Sequence, residues 1–148
     1  DLHFALDLGV DRDDARAAAR SIEIAEEHLA GGGAFGIYPE GTRSRDGRLH
    51  KGRTGVGRLA VASGAPVVPC ALVGTDKAQP IDARGIRPHR VTVRFAPPVD
   101  VAALEAQHVK GKLLRAITDE VMDAIAERSG QTRSADFAAR PGASAPLG

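Results

Sequence analysis

The sequence predicts an α/β domain, a layered sheet with helices packed on it. Three observations carry that prediction. Helical and extended patterns follow one another as helix, strand, helix, strand, strand, helix, an order that belongs to mixed layered folds. Residues 34–38 and 67–73 are apolar without polar alternation, as strands covered on both faces are. Hydrophobic residues make up 43% of the chain but aromatics only 3%, so aliphatic and alanine packing has to build the core. A chain of 148 residues holds one such domain.

Residues 13–30 read as the first helix. Ala18, Ile22, Ala25 and Leu29 recur at helical spacing and form one apolar stripe. Asp11 or Asp13 caps its start, Asp14 complements the dipole, and Gly31-Gly32-Gly33 ends it. The first strand follows at 34–38 and stops at Pro39, which has no backbone donor. Residues 43–54 are polar and glycine-bearing, hence loop. A short helix over 54–63 turns Val56, Leu59 and Ala60 inward and stops at Gly64. The second strand spans 67–73. A long connection over 74–89 contains Pro80 and Pro88. Residues 90–95 alternate strictly, with Val91, Val93 and Phe95 facing one way and Arg90, Thr92 and Arg94 the other, as in a half-buried strand near a sheet edge. Pro97-Pro98 breaks that strand, and Asp100 caps a turn running through Glu105. The last helix, 110–128, points Leu113, Leu114, Ile117, Val121 and Ile125 inward and ends at Gly130. The division expected is a domain over 1–130 and a disordered tail over 131–148, rich in Ser, Ala, Pro and Gly.

The chemistry concentrates where the first strand ends. Ile37-Tyr38-Pro39-Glu40-Gly41-Thr42-Arg43-Ser44 delivers a charged loop from an apolar segment. Gly41 permits a sharp turn and a close backbone approach to a ligand. Arg43 presents a planar fork of donors that matches a phosphate. Lys51 adds a point charge, and the backbone at Gly41 and Gly52 can donate N–H bonds to the same anion. Thr42 and Ser44 either border that anion or bond the turn backbone. Glu40 cannot favour a phosphate. It either pairs with a nearby cation or hydrogen-bonds an acceptor hydroxyl. The competing reading of Arg43 is a surface pair with Glu40 or Asp46. Lys51 and Arg53 read equally as ligand contacts or as solvated loop cations, Arg45, Arg48 and Arg58 read as a solvated face, and His28, His50, His89 and His108 show no metal-ligand spacing.

These residues resemble the glycerolipid acyltransferase family, the phosphate acyltransferases that acylate lysophosphatidate. That family carries a Phe-Pro-Glu-Gly-Thr-Arg-Ser block, and this chain departs from it only in Tyr38. Val67-Val68-Pro69 matches its next block, and Gly9-Val10-Asp11-Arg12 resembles a shortened form of an earlier Gly-x-x-x-x-Arg block. The resemblance spans roughly residues 6–130. It implies the family's fold and adds Arg12 to the phosphate-binding set of Glu40, Gly41, Thr42, Arg43, Lys51 and Gly52. It implies acyl transfer to a lysophospholipid hydroxyl from coenzyme A or acyl carrier protein, with no cofactor, at the cytoplasmic face of a membrane. The family's catalytic His and Asp are four residues apart and lie upstream of these blocks. His3 and Asp7 are only three apart, and the chain begins at Asp1, so the expectation is a chain lacking its amino-terminal, dyad-bearing part. A complete chain would instead be a non-catalytic module that binds lipid phosphates.

Composition narrows the remaining classes. A net charge of +1 gives no global field for nucleic acid, and only Phe35 and Tyr38 stand near the arginines to stack bases. No apolar run approaches the roughly 20 residues of a membrane span. The lone Cys70, within an apolar run, reads as a buried free thiol.

Overall fold

The computed structural model describes residues 15–139. The elements are α1 (Ala15–Ala30), α2 (Gly55–Ser63), β1 (Cys70–Val73), α3 (Thr75–Ala78), β2 (Thr92–Phe95), α4 (Val101–Gln107) and α5 (Lys110–Ser129). The α/β expectation holds. The proposed caps Asp11 and Asp13, the proposed phosphate ligand Arg12, and the His3–Asp7 pair lie outside the described residues.

Helix α5 organises the molecule. It packs on α2, α4 and β1. Leu113, Ile117, Val121 and Met122 are buried along it, and burying each contributes about 1.5–3 kcal/mol. Thr118 is also fully buried and donates its hydroxyl proton to the Leu114 carbonyl, which satisfies it at 2.7 Å. Thr118 and Met122 escaped the sequence pattern because the stripe of aliphatics drew the inward face too narrowly. A side chain at Gly57 would collide with the Leu114 backbone, so that glycine sets the close approach of α2 to α5. Ala60, Leu113 and Ile117 form a tight cluster, with Val67, Val101 and Leu104 packed against it. Asp100 caps α4 by accepting from Ala103 N at 2.9 Å. Gly64 and Gly130 stop α2 and α5 in left-handed conformation, as expected.

Strands β1 and β2 pair antiparallel, with Cys70 opposite Phe95 and Leu72 opposite Val93. Beyond the ladder, Ala96 N donates to Pro69 O and Val99 N to Val67 O. Three strand expectations change. First, residues 34–38 form no strand among the described residues, and Tyr38 is 74% exposed. Second, β2 is turned over relative to its alternation. Ala71, opposite Arg94, is buried toward α5, and Arg94 reaches the Arg128 carbonyl at 2.9 Å, near the end of α5. Opposed residues in an antiparallel pair share a face, so Leu72, Val93 and Phe95 lie together on the exposed side. Third, Val68 is exposed while Val67 packs on the core and Pro69 is buried.

The packed chain continues past Gly130. Leu49 and Arg133 form a parallel bridge, and Ser134 and Ala138 are buried. Residues 131–139, expected to belong to a disordered tail, are thus part of the packed structure, and the rest of that expected tail lies outside the described residues. Residues 131–139 bury little apolar surface but spend their backbone hydrogen bonds on the loop at 49–51, which no composition argument could reveal.

Candidate functional site: a backbone-locked basic loop

The loop of interest is built on residues 49–53, which run extended between two neighbours. Toward one side, His50 N donates to Glu40 Oε2 at 2.9 Å and Arg53 N donates to Pro39 O at 2.7 Å. Toward the other side, Leu49 N donates to Thr132 O at 3.0 Å, and Lys51 N donates to Asp136 O at 2.9 Å. Leu49 O accepts from Ser134 N at 2.8 Å. The N–H groups of Leu49 and Lys51 face one side and that of His50 the other, as alternation in an extended stretch requires, and Arg53 N joins the His50 side further on, so one short stretch ties the Pro39–Glu40–Gly41 turn to the 131–139 segment.

Glu40 forms no ion pair with a cation among the described residues; its Oε2 accepts from His50 N instead. It holds a backbone N–H that would otherwise lack a partner. Desolvation raises its carboxyl above the ordinary value, and the His50 N–H opposes that rise in part. Gly41 takes φ +72°, a conformation that side chains resist, and donates to Tyr38 O at 3.0 Å. A Cβ there would lie 3.3 Å from Arg53 Cδ and Nε, so the Arg53 side chain runs alongside the turn. Arg53, which the sequence left open between ligand contact and solvated cation, thus lies against the turn.

Arg43 is exposed and makes no ion pair with Glu40 or Asp46. Asp46 is occupied elsewhere. It accepts from Ser44 Oγ at 3.0 Å and Arg48 N at 3.1 Å, and it bonds His50 Nε2 at 2.9 Å. The His50 bond, with the other two, holds its carboxyl down at about 2. His50 does therefore have an acidic neighbour, four residues earlier, which sequence spacing in a loop could not establish. Its Nδ1 is buried without a hydrogen-bond partner among the described residues. Thr42 is half-buried at the turn. Arg45 lies 3.9 Å from Asp82 across two exposed loops.

Lys51 and Arg53 both lie over the Phe137 ring, with Lys51 Nζ at 5.3 Å and Arg53 Cζ at 5.4 Å from its centroid. Gly52, between them, is buried against α5. A Cβ at Gly52 would stand 2.9 Å from Thr118 Cγ2 and Met122 Cγ, so packing alone demands the glycine. Its carbonyl accepts from Arg115 Nη1 at 2.7 Å. The structure brings Glu40, Gly41, Lys51, Gly52 and Arg53 together through these bonds, while Arg43 projects from the same loop. A depression of about 270 Å3 lined by Asp100, Ala103, Leu104, Gln107 and Glu120 shares no residue with this loop. Cys70 is half-buried, and burial pushes its thiol up, which disfavours the nucleophilic thiolate.

Known acyltransferases resemble the chain in sequence and in fold. A family model described as Acyltransferase matches residues 8–73. The 1-acyl-sn-glycerol-3-phosphate acyltransferase of Limnanthes douglasii is 38% identical over 98 residues, which are 63% of this chain and 34% of that protein. A chloroplastic 1-acyl-sn-glycerol-3-phosphate acyltransferase of Brassica napus is 33% identical over 78% of this chain and 31% of its own length. The crystal structure of the 1-acyl-sn-glycerophosphate (LPA) acyltransferase of Thermotoga maritima superimposes with a TM-score of 0.58 at 30% identity, covering 74% of this chain and 46% of that one. The chain spans about a third of the length of the curated relatives it matches.

Proposed function

We propose that this chain, a member of the acyltransferase family whose model its residues 8–73 match, supplies the acceptor-holding part of an enzyme that moves a fatty acyl group onto the hydroxyl of a lysophosphatidate-like lipid. The acyl donor in this reading is a thioester of coenzyme A or of acyl carrier protein. The observation that carries the proposal is the exposed Arg43 just past the Pro39–Glu40–Gly41 turn, which hydrogen bonds tie to the 49–53 segment carrying Lys51 and Arg53.

Acyl transfer from a thioester to an alcohol needs a base, a stabiliser for the oxyanion, and an alcohol held close to the carbonyl. The loop serves the third need. A lysophosphatidate carries a dianionic phosphate near its reacting hydroxyl. Arg43 grips two phosphate oxygens through its fork, and Lys51 and Arg53 contribute charge from the neighbouring segment. Thr42 borders the same volume, whereas the Gly41 N–H is already spent on Tyr38 O at 3.0 Å. Phosphate binding remote from the reacting carbon is then available to orient the hydroxyl. The acceptor is amphipathic, so the enzyme works at a membrane surface, on the cytoplasmic face in this reading. No helix among the described residues is long and apolar enough to cross a membrane.

The test is Arg43→Ala in the protein carrying this chain, assayed with acyl-CoA and lysophosphatidate. Loss of a charge-assisted contact raises the acceptor KM about 10-fold or more, and leaves the donor KM unchanged. An unaltered acceptor KM with an unaltered rate removes the reading.

A further inference from the structure

We propose that residues 131–139 form a positioning strap for the phosphate site, with Phe137 holding the heads of Lys51 and Arg53. The inference rests on the acceptor reading above and adds to it a residue outside every sequence block that suggested it.

The strap is anchored at several points. Its backbone takes up Leu49 N, Leu49 O and Lys51 N. Arg133 donates from Nη1 to Asp123 Oδ1 at 2.6 Å, and its Nη2 lies 3.7 Å from Asp119 Oδ1, which fastens the strap to α5. Ser134 and Ala138 are buried on either side of Phe137. Phe137 itself is 49% exposed, so filling the core does not account for it. What its ring does touch is two cations of like charge, at 5.3 and 5.4 Å from its centroid.

Like charges on adjacent long side chains repel, and each chain has many rotamers to lose when it binds an anion. The negative face of an aromatic ring offsets that repulsion and restricts both heads to one region. That region borders the turn, because Arg53 N donates to Pro39 O and the Arg53 side chain runs beside Gly41. A phosphate arriving there meets two cations already gathered. Phe137 is a positioning residue in this arrangement, acting on the acceptor only through Lys51 and Arg53.

The experiment uses the protein carrying this chain, with inorganic phosphate and sn-glycerol 3-phosphate as calorimetric probes and lysophosphatidate as the kinetic acceptor. The variants are Phe137→Ala, Phe137→Leu and Phe137→Trp. Expected results are an acceptor KM and a phosphate Kd raised about 5-fold in the Ala and Leu variants, kcat unchanged, and Trp equal to Phe. Thermal unfolding of each variant accompanies the titrations. Should Phe137→Ala fail to fold, the Leu variant, which keeps apolar volume without a ring face, decides. A Leu variant as good as the original shows a packing role only and overturns the strap. Tighter phosphate binding on losing the ring shows that the segment masks the cations, and overturns it equally. An unsubstituted protein that neither binds these phosphates nor acylates lysophosphatidate removes the acceptor reading itself, and the strap with it.

Discussion

Arg115 of α5 donates from Nη1 to the carbonyl oxygen of Gly52 at 2.7 Å, while its Nε and Nη2 grip Asp119 one turn further on, at 3.0 and 2.8 Å. One guanidinium thereby fixes the basic loop to the helix that carries the core. Asp119 is shared, since Arg133 of the strap also lies 3.7 Å from it. The loop, the helix and the strap are joined through two arginines and one carboxylate.

Replacing Arg115 by Ala should therefore loosen the loop as well as the helix surface. The Gly52 carbonyl would lose its donor, and Asp119 would lose a bidentate partner that is itself partly solvated. A destabilisation of about 1–2 kcal/mol is expected from denaturant unfolding. Arg115→Lys should recover only part of it, because an ammonium cannot serve both acceptors with the same geometry.

Gly52→Ala tests close packing. Its Cβ would meet Thr118 Cγ2 and Met122 Cγ at 2.9 Å, inside a buried interface. Met122 can shift its flexible chain, but Thr118 is pinned by its bond to Leu114 O. The expected cost is about 1–3 kcal/mol, seen as a lower thermal midpoint. An unchanged midpoint would show that α5 and the loop can separate without penalty.

Glu40 carries a pH signature. Its carboxyl titrates above the ordinary value of 4.5, chiefly because it is desolvated. The folded state therefore holds this proton more firmly than the unfolded chain does. The associated stability is complete below 4.5 and disappears as pH rises through the higher folded value. Glu40→Gln keeps an oxygen for the His50 N–H and removes the ionisation. It should flatten the fall of stability with pH above 4.5 and leave the protein at least as stable at neutral pH, measured by denaturant midpoints across pH.

Asp46 should show the opposite sign. Its carboxyl is held down to about 2 by His50, by the Arg48 N–H and by the Ser44 hydroxyl. Stability from this group is present above 3.8 and is lost as pH falls toward 2. Asp46→Ala should remove that part of the acid dependence and free the His50 ring, which is visible as a change in its side-chain NMR signals. Identical acid unfolding curves for the two proteins would refute the pairing.

Much of the molecule was legible from local pattern. Helices α1, α2 and α5 and their glycine stops followed from 3.6-residue spacing and left-handed caps, which are properties of a few neighbouring residues. The block from Pro39 to Ser44 identified the family and located the charged turn for the same reason. Tertiary structure alone decided which side of β2 faces α5. An alternating strand specifies two faces but not which one is covered, and here Val93 and Phe95 lie on the exposed one. It also decided that Glu40 bonds a backbone N–H, that Gly52 is a contact point with α5, and that Phe137 lies beneath Lys51 and Arg53. Each of these joins groups brought together by backbone pairing or packing. Sequence records local preference along the chain, whereas such partnerships exist only once the chain has folded and distant segments share one neighbourhood.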